Sequence, residues 1–215
     1  MIEIFLATLL IPLVSALVLL GINKNNIAML KYFAFGSSLV TLVLSVILFI
    51  NFDSANPNMQ FYFEQNWVSQ IGAGFRIGVD GMSMMLLMLT AFLTPITIMT
   101  SFSAIQTREK EYYFFILLLE FALLGVFVAL DLFLFYIFWE IVLIPMYFII
   151  GIWGGKNKLY ATVKFFIYTV VGSLFMLAAL IWLGIYVGGN VLHLESGFTT
   201  NYLAILDALK NSPIP

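Results

Sequence analysis

The chain has 215 residues, of which 63% are hydrophobic and 9% charged, whereas soluble domains carry about 25% charged residues. A soluble fold of this size cannot bury so much apolar side chain, so the composition indicates an integral membrane protein. The net charge of −2 gives no reason to expect nucleic acid as a partner. Because the sequence has no cysteine, it excludes disulfides and iron–sulfur ligation by this chain.

Six apolar runs are long enough to cross a membrane, which takes roughly 20 helical residues. They lie between charged or Gly-, Pro- and Asn-rich breaks, at about residues 4–20, 32–50, 81–101, 112–130, 132–152 and 162–187. Aromatic and β-branched residues around a Gly-containing turn predict a β-hairpin within 59–80. The sequence therefore predicts an all-α polytopic membrane protein, one helical bundle over 1–215 with a small outer hairpin after the second helix.

The tract 112–153 is too long for one crossing, since 42 helical residues span about 63 Å. Asp131 near its middle predicts a turn between two helices. Glu120 precedes Asp131 by 11 residues and Glu140 follows it by 9, so their depths differ by about 3 Å. Both carboxyl groups are expected near the middle of the membrane, facing other helices.

The two glutamates, Glu120 and Glu140, have two interpretations. An ionised carboxylate at the bilayer centre costs at least about 2.5 kcal/mol, so such residues usually face a bundle interior and mark ion or proton paths. Alternatively, both are protonated, hydrogen-bonded and structural. Pro145, five residues after Glu140, lacks a backbone donor and predicts a break in the fifth helix, which favours the functional interpretation. The alternative is a proline without a functional role, since proline is common in membrane helices.

Lys164 is the third charged candidate within a predicted span. It lies six residues past Lys158, about 9 Å deeper along the sixth helix. Its long stem allows it to reach the headgroups. If it points inward instead, it supplies a positive neighbour for a buried carboxylate, as a proton relay requires.

Basic residues predict the orientation of the bundle, because short cytoplasmic loops are enriched in Lys and Arg. Six flank the first, third and fifth connections, namely Lys24, Lys31, Arg108, Lys110, Lys156 and Lys158. Arg76 and Lys210 belong to the opposite side. The N terminus is therefore expected outside.

The last residues predict a helix end and a short surface helix. Gly188 and Gly189 are expected to end the sixth helix near Val187, with a positive φ. An amphipathic segment over 199–210 is expected to follow, with Thr199 or Thr200 as its cap. Its predicted apolar face consists of Leu203, Leu206 and Leu209.

Three segments resemble a known family. They read GVDGMSMMLLMLTAFLTPITIM at 78–99, FILLLEFALLGVFVALDLFLFYIFWEIVLIPMYFIIGIWGG at 115–155, and ATVKFFIYTVVGSLFMLAAL at 161–180. They are similar to the N-terminal part of the subunit M (chain 4) family of the proton-pumping NADH:quinone oxidoreductase, respiratory complex I. A looser similarity links them to the antiporter-like subunits of multisubunit Na⁺/H⁺ antiporters.

The resemblance implies roles for individual residues. Glu140 in FWE matches the family's essential carboxylate on the fifth helix, Glu120 in LLLE its acid on the fourth, and Lys164 in VKFF its basic residue on the sixth. The family also has lysines and an acid on later helices, which have no counterpart among the six predicted here. The chain is therefore expected to hold part of one channel, with Glu140 facing the place of a lysine partner.

The implied function is that of a membrane-arm subunit contributing part of a proton pathway coupled to electron transfer from NADH to quinone. No cofactor or metal is expected on this chain: His193, the sole histidine, lies in a polar loop, and NADH, FMN, iron–sulfur clusters and quinone belong to the whole complex. The expected partners are lipid and other membrane-arm subunits, in a bacterial or mitochondrial inner membrane. The alternatives are an Na⁺/H⁺ antiporter component and a structural bundle without transport.

Overall fold

A computed structural model describes residues 1–68 and 72–211 of the chain. Within these residues, six helices are long and apolar enough to cross a membrane, which confirms the predicted number. They are α1 (Ile2–Gly21), α2 (Ile27–Ile50), α3 (Gly81–Ala104), α4 (Glu109–Val128), α5 (Leu132–Trp153) and α6 (Lys158–Ile185). A π-helical segment, Tyr186–Val191, continues α6, and the short helix α7 (Tyr202–Asn211) follows.

The helices extend further toward the basic loops than hydropathy alone predicts. α2 begins at Ile27, five residues earlier than expected, because the Asn26 side chain accepts a hydrogen bond from the backbone N–H of Met29 and caps the helix. Lys31 then lies within α2, and its Nζ reaches the carbonyl oxygen of Phe102 at 2.8 Å. Long basic side chains thus fit inside a helix whose end approaches the interface.

The predicted β-hairpin is confirmed. Strand β1 (Gln60–Val68) pairs antiparallel with β2 (Ala73–Val79), with Gln60 opposite Val79 and an irregularity at Phe61, whose φ is +52°. The turn between the strands lies outside the described residues. The hairpin covers one end of the bundle, since the buried side chains of β2 join the core formed by α1, α3, α4 and α5.

The centre of the bundle is α4, which packs against α1, α2, α3 and α5. Half of the residues in the 18-residue apolar stretch of α4 are buried. The corresponding share is 17% for the sixth span, which lies at the edge of the bundle and packs mainly on α5. At Gly125, α4 and α5 approach so closely that an added Cβ atom would meet the ring of Phe138 on α5. The chain turns tightly here, as predicted, because α4 ends at Val128 and α5 begins at Leu132.

The end of the sixth span differs from the prediction. The α-helix ends at Ile185, close to the predicted Val187, but a π-helix continues it to Val191. The expected positive φ is absent from Gly188 and Gly189; among the described residues of this region it occurs at His193 and Gly197. Gly188 instead permits close packing, since a Cβ there would lie 2.6 Å from the backbone of Phe198.

The short helix α7 also differs in its cap and its packing face. The side chain of Asn201, not that of Thr199 or Thr200, accepts the hydrogen bonds from Leu203 N and Ala204 N, because Thr200 is engaged elsewhere. The most buried positions are Ile205 and Ala208, which pack on Val187, whereas Leu203 and Leu206 are only half-buried. The face is therefore rotated from the predicted one.

The contact between Gly125 and Phe138 gives a test of the central packing. Gly125→Ala should lower the free energy of unfolding by about 1 to 3 kcal/mol, because the new methyl group overlaps a ring that is 4% exposed. Gly36→Ala on α2 is the control, since a Cβ there meets no described atom within 4 Å. Denaturant titration in mixed micelles, followed by circular dichroism, compares the two; equal stabilities would contradict the close approach.

Candidate functional site

Glu120 lies in the core of the bundle. Its side chain projects from α4, the residue is 1% exposed, and neither carboxyl oxygen has a hydrogen-bond partner within the described part of the chain. It lines a groove between α3 and α4 together with threonines of α3. A buried carboxyl group without partners is costly, so this position is a strong candidate for a function.

Glu140 lies on α5 and is half-buried. Its Oε1 atom is buried and, among residues 1–68 and 72–211, has no hydrogen-bond partner. The hydroxyl group of Tyr136, one turn earlier, is close enough to interact with the side chains of Glu140 and Ser173. Glu140 therefore lies on the side of α5 that meets α6.

The helix limits place the two glutamates at matching positions along the hairpin. Glu120 is eight residues before the last residue of α4, and Glu140 is eight residues after the first residue of α5. Eight residues correspond to about 12 Å of helix. The structure therefore gives both acids the same distance from the turn, although no hydrogen bond joins them in the described part of the chain.

Lys164 lies apart from both acids. It is exposed on α6, with its Nζ 5.6 Å from the centre of the Tyr160 ring, one turn nearer the start of the helix. Within the described ranges it forms no ion pair with Glu120 or Glu140. Its direction corresponds to the first of the two predicted arrangements, in which the long stem extends toward the headgroups.

The prediction of a helix break at Pro145 is wrong, because α5 runs without interruption from Leu132 to Trp153. A proline removes one backbone donor from a helix, and here that leaves the carbonyl of Ile141, next to Glu140, without its usual N–H donor. Membrane helices tolerate such a loss when neighbouring helices surround it. Pro145 is itself buried in the bundle.

A polar cluster at the hairpin end was not predicted from the sequence. Asp131 is 1% exposed, and its Oδ2 accepts hydrogen bonds from Arg76 Nη1 at 2.8 Å, Thr200 Oγ1 at 2.6 Å and Gly74 N at 3.1 Å. Its Oδ1 accepts from Phe133 N and Leu134 N and thereby caps α5. One carboxylate therefore joins the hairpin, the α4–α5 turn and the segment before α7.

Arg76 extends this cluster to strand β1. Its Nε donates to Glu64 Oε1 at 2.6 Å, and the Tyr62 hydroxyl donates to Glu64 Oε2 at 2.6 Å. Burial alone would lower the pKa of Arg76, but the hydrogen bonds and charges of Glu64 and Asp131 outweigh it and raise that pKa. The hydrogen bonds from Tyr62 and Arg76 lower the pKa of Glu64.

Within residues 1–68 and 72–211, no group of three or more His, Asp or Glu side chains is placed to hold a metal ion. His193 is exposed, and its Nδ1 lies 3.1 Å from the carbonyl oxygen of Gly189.

The family described as NADH:quinone oxidoreductase/Mrp antiporter, TM, matches residues 129–211. The match covers α5, α6 and α7, and so includes Glu140 and Lys164. The fold and this match together define the chain as an antiporter-like polytopic membrane protein.

Similar proteins narrow this class. Subunit M of the NADH-quinone oxidoreductase of Rhodobacter capsulatus is 45% identical over 175 residues, 80% of this chain and 34% of that protein. Subunit M of the F(420)H(2) dehydrogenase of Methanosarcina mazei is 41% identical over 169 residues, 79% of this chain and 34% of that protein. A chain of respiratory complex I from Thermus thermophilus, solved with bound NADH, is 26% identical with a TM-score of 0.76, covering 95% of this chain and 39% of that chain.

The chain is a homologue of NADH-quinone oxidoreductase subunit M, which confirms the resemblance found in its sequence. It spans about a third of the length of the curated relatives it matches, since the shares are 34% for the two described above.

The buried ion pair at Asp131 gives a stability prediction. Asp131→Asn should lower the free energy of unfolding by about 3 to 5 kcal/mol, because Arg76 then stays buried with one partner fewer. The control is Asp53→Asn, which alters an exposed aspartate that accepts one hydrogen bond from Ala55 N. A double-mutant cycle with Arg76→Gln should show coupling between the two sites; additive effects would contradict a direct interaction.

Tyr62 gives a prediction about pH. Burial and the neighbouring Glu64 carboxylate raise the pKa of Tyr62 from 10.0 to about 12. Because this pKa is higher in the folded protein, the stabilisation by the neutral phenol is complete below pH 10.0 and is lost as the pH rises through about 12.

Glu64→Gln should lower the pKa of Tyr62 without restoring the ordinary value, since burial remains the largest cause. Absorbance titration of tyrosinate, with Tyr62→Phe used to assign the signal, measures the change. Glu195→Gln alters an exposed glutamate between Val191 and α7 and should leave the titration unchanged. An unchanged pKa of Tyr62 in Glu64→Gln would rule out the charge of the Glu64 carboxylate as a cause.

Proposed function

We propose that this chain is part of the membrane arm of a proton-translocating NADH:quinone oxidoreductase, in which Glu140, Glu120 and Lys164 belong to the proton pathway. The observation that carries the proposal is the pair of glutamates at equal distances from one turn. Both carboxyl oxygens of Glu120, and Oε1 of Glu140, are buried without hydrogen-bond partners in the described chain. Ionisable groups within a membrane bundle commonly mark proton paths.

The electron-transfer chemistry is assigned to other subunits. The chain has no cysteine for an iron–sulfur cluster, and its charged residues within the helices are suited to proton transfer. In the proposed complex, NADH, FMN, iron–sulfur clusters and quinone act on other subunits. The contribution of this chain is to hold and pass protons while redox energy is supplied by its partners.

The open side of α5 and α6 supports a place for further helices. α6 exposes large apolar side chains, among them Leu159, Tyr168 and Phe175, each 73% exposed or more. Relatives such as the Rhodobacter capsulatus subunit M are nearly three times as long as the matched region. Helices equivalent to the rest of those proteins would cover this face and bring a cation toward Glu140.

The proposed orientation follows from the basic residues. Lys24, Lys31, Arg108 and Lys110 lie at the end of the bundle opposite the β-hairpin, where α1 joins α2 and α3 joins α4. Positive charge in short loops favours the cytoplasmic side or its organellar equivalent. The N terminus, the hairpin and α7 then face the outside of an inner membrane, with lipid and other membrane-arm subunits as neighbours.

An antiporter component is the second candidate, because the matching family also includes Mrp antiporters. It would use the same glutamates without flavin or quinone partners. Affinity purification of the tagged chain from its native membrane distinguishes the two, since flavin- and iron–sulfur-containing partners are expected only for the oxidoreductase.

Substitution of Glu140 tests the proposed pathway. In the assembled complex in sealed vesicles, Glu140→Gln should reduce NADH-driven proton uptake by about tenfold or more, because an amide cannot take up and release a proton at this site. Proton uptake is measured with a pH-sensitive dye while NADH oxidation is recorded in parallel.

The matched control is Glu111→Gln, since Glu111 is exposed at the start of α4. Its Oε1 lies 3.9 Å from Arg108 Nε. It should leave proton uptake unchanged. Full proton uptake in an assembled Glu140→Gln complex would refute the role of Glu140 and favour a structural carboxyl group.

A further inference from the structure

A groove lies between α3 and α4. It has a volume of about 200 Å³ and is otherwise apolar, but Thr90, Thr94 and Thr97 of α3 and Glu120 of α4 line it. Glu120 is 1% exposed, and both of its oxygens are unpaired among the described residues. The groove therefore contains a buried carboxyl group that needs polar partners.

The three threonines are arranged to supply such partners. Each hydroxyl donates to the carbonyl oxygen four residues earlier in α3 at 2.9 Å, so each hydroxyl oxygen can still accept a hydrogen bond. Their spacing places them along one face of the helix. They form a polar stripe facing α4.

Thr94 lies at the same level as Glu120. Thr94 is ten residues before the last residue of α3, and Glu120 is eleven residues after the first residue of α4, measured from the loop that joins these antiparallel helices. At 1.5 Å per residue these distances differ by about 1.5 Å. Thr90 and Thr97 lie about one turn to either side.

We propose that water from this groove reaches the carboxyl group of Glu120, whose oxygens are closed off from the groove in this conformation, and exchanges its proton, with Thr94 positioning the water. A buried water needs two to four polar partners, which the carboxyl oxygens and the threonine hydroxyls provide together. At about 30 Å³ per water molecule, the groove has room for several. Any role of this water in translocation rests on the proposed function, whereas the hydration of Glu120 does not.

A lipid acyl chain is the competing occupant, because Leu89 and Leu93 at the rim are 51% and 48% exposed. Such a chain would fill the apolar part of the groove but leave the carboxyl oxygens of Glu120 without partners, which costs free energy. The polar stripe favours water.

The experiment is isotope exchange of the Glu120 carboxyl group, followed by infrared spectroscopy of the full chain in lipid nanodiscs. The carboxyl band is assigned as the one missing from Glu120→Gln, and its shift after transfer to D₂O is timed. Thr94→Val, which keeps the shape and removes the hydroxyl, should slow the shift by about tenfold, as expected for loss of one hydrogen bond along the route. Thr94→Ser should restore the rate of the unaltered chain.

Thr41→Val is the matched control, since Thr41 is a buried threonine of α2 whose hydroxyl also donates to the carbonyl four residues earlier. It should leave the exchange unchanged, and circular dichroism confirms that each variant is folded. Equal exchange rates in Thr94→Val and the unaltered chain would overturn the proposal. So would a Glu120 band that does not shift in D₂O, which would indicate an apolar occupant. Either result leaves the proton-uptake test of Glu140 unaffected, so the two proposals fail separately.

Discussion

The ion pair between Asp131 and Arg76 is the interaction on which the hairpin end of this bundle depends. Arg76 Nη1 and Asp131 Oδ2 are 2.8 Å apart, and both residues are buried. The same carboxylate also binds Thr200, Gly74 and the first turn of α5. Such a pair is stabilising when further hydrogen bonds satisfy both charges. It therefore fixes the position of the turn, and with it the equal distances of Glu120 and Glu140 from that turn.

The contrast between Asp131 and Glu120 separates a structural acid from a candidate functional one. Both are 1% exposed, but Asp131 accepts five hydrogen bonds, whereas Glu120 accepts none from the described residues. A protein that needed Glu120 only for packing could use an apolar side chain of similar volume at lower cost.

Part of the candidate site could be predicted by counting residues. The matching depths of Glu120 and Glu140 follow from the length of one apolar tract and the position of its turn. Helical rise converts the distance along the sequence into depth. The cluster around Asp131 could not be found in this way, since Arg76 is 55 residues away and Thr200 is 69 residues away. Pro145 was misjudged for a related reason. The loss of one backbone donor is a local effect, but the surrounding helices decide whether the helix breaks.

The sequence by itself determined that the protein lies in a membrane, the number of its spanning helices, the presence of the β-hairpin and the family. These follow from apolar length, strand-like composition and motifs, all of which are local properties of the chain. Only the tertiary structure decided which charges meet, that Lys164 extends toward Tyr160 and away from the glutamates, and which face of α7 is buried. Apolar periodicity shows that a face is buried. The identity of its partner depends on contacts between segments far apart in sequence, which no local pattern encodes.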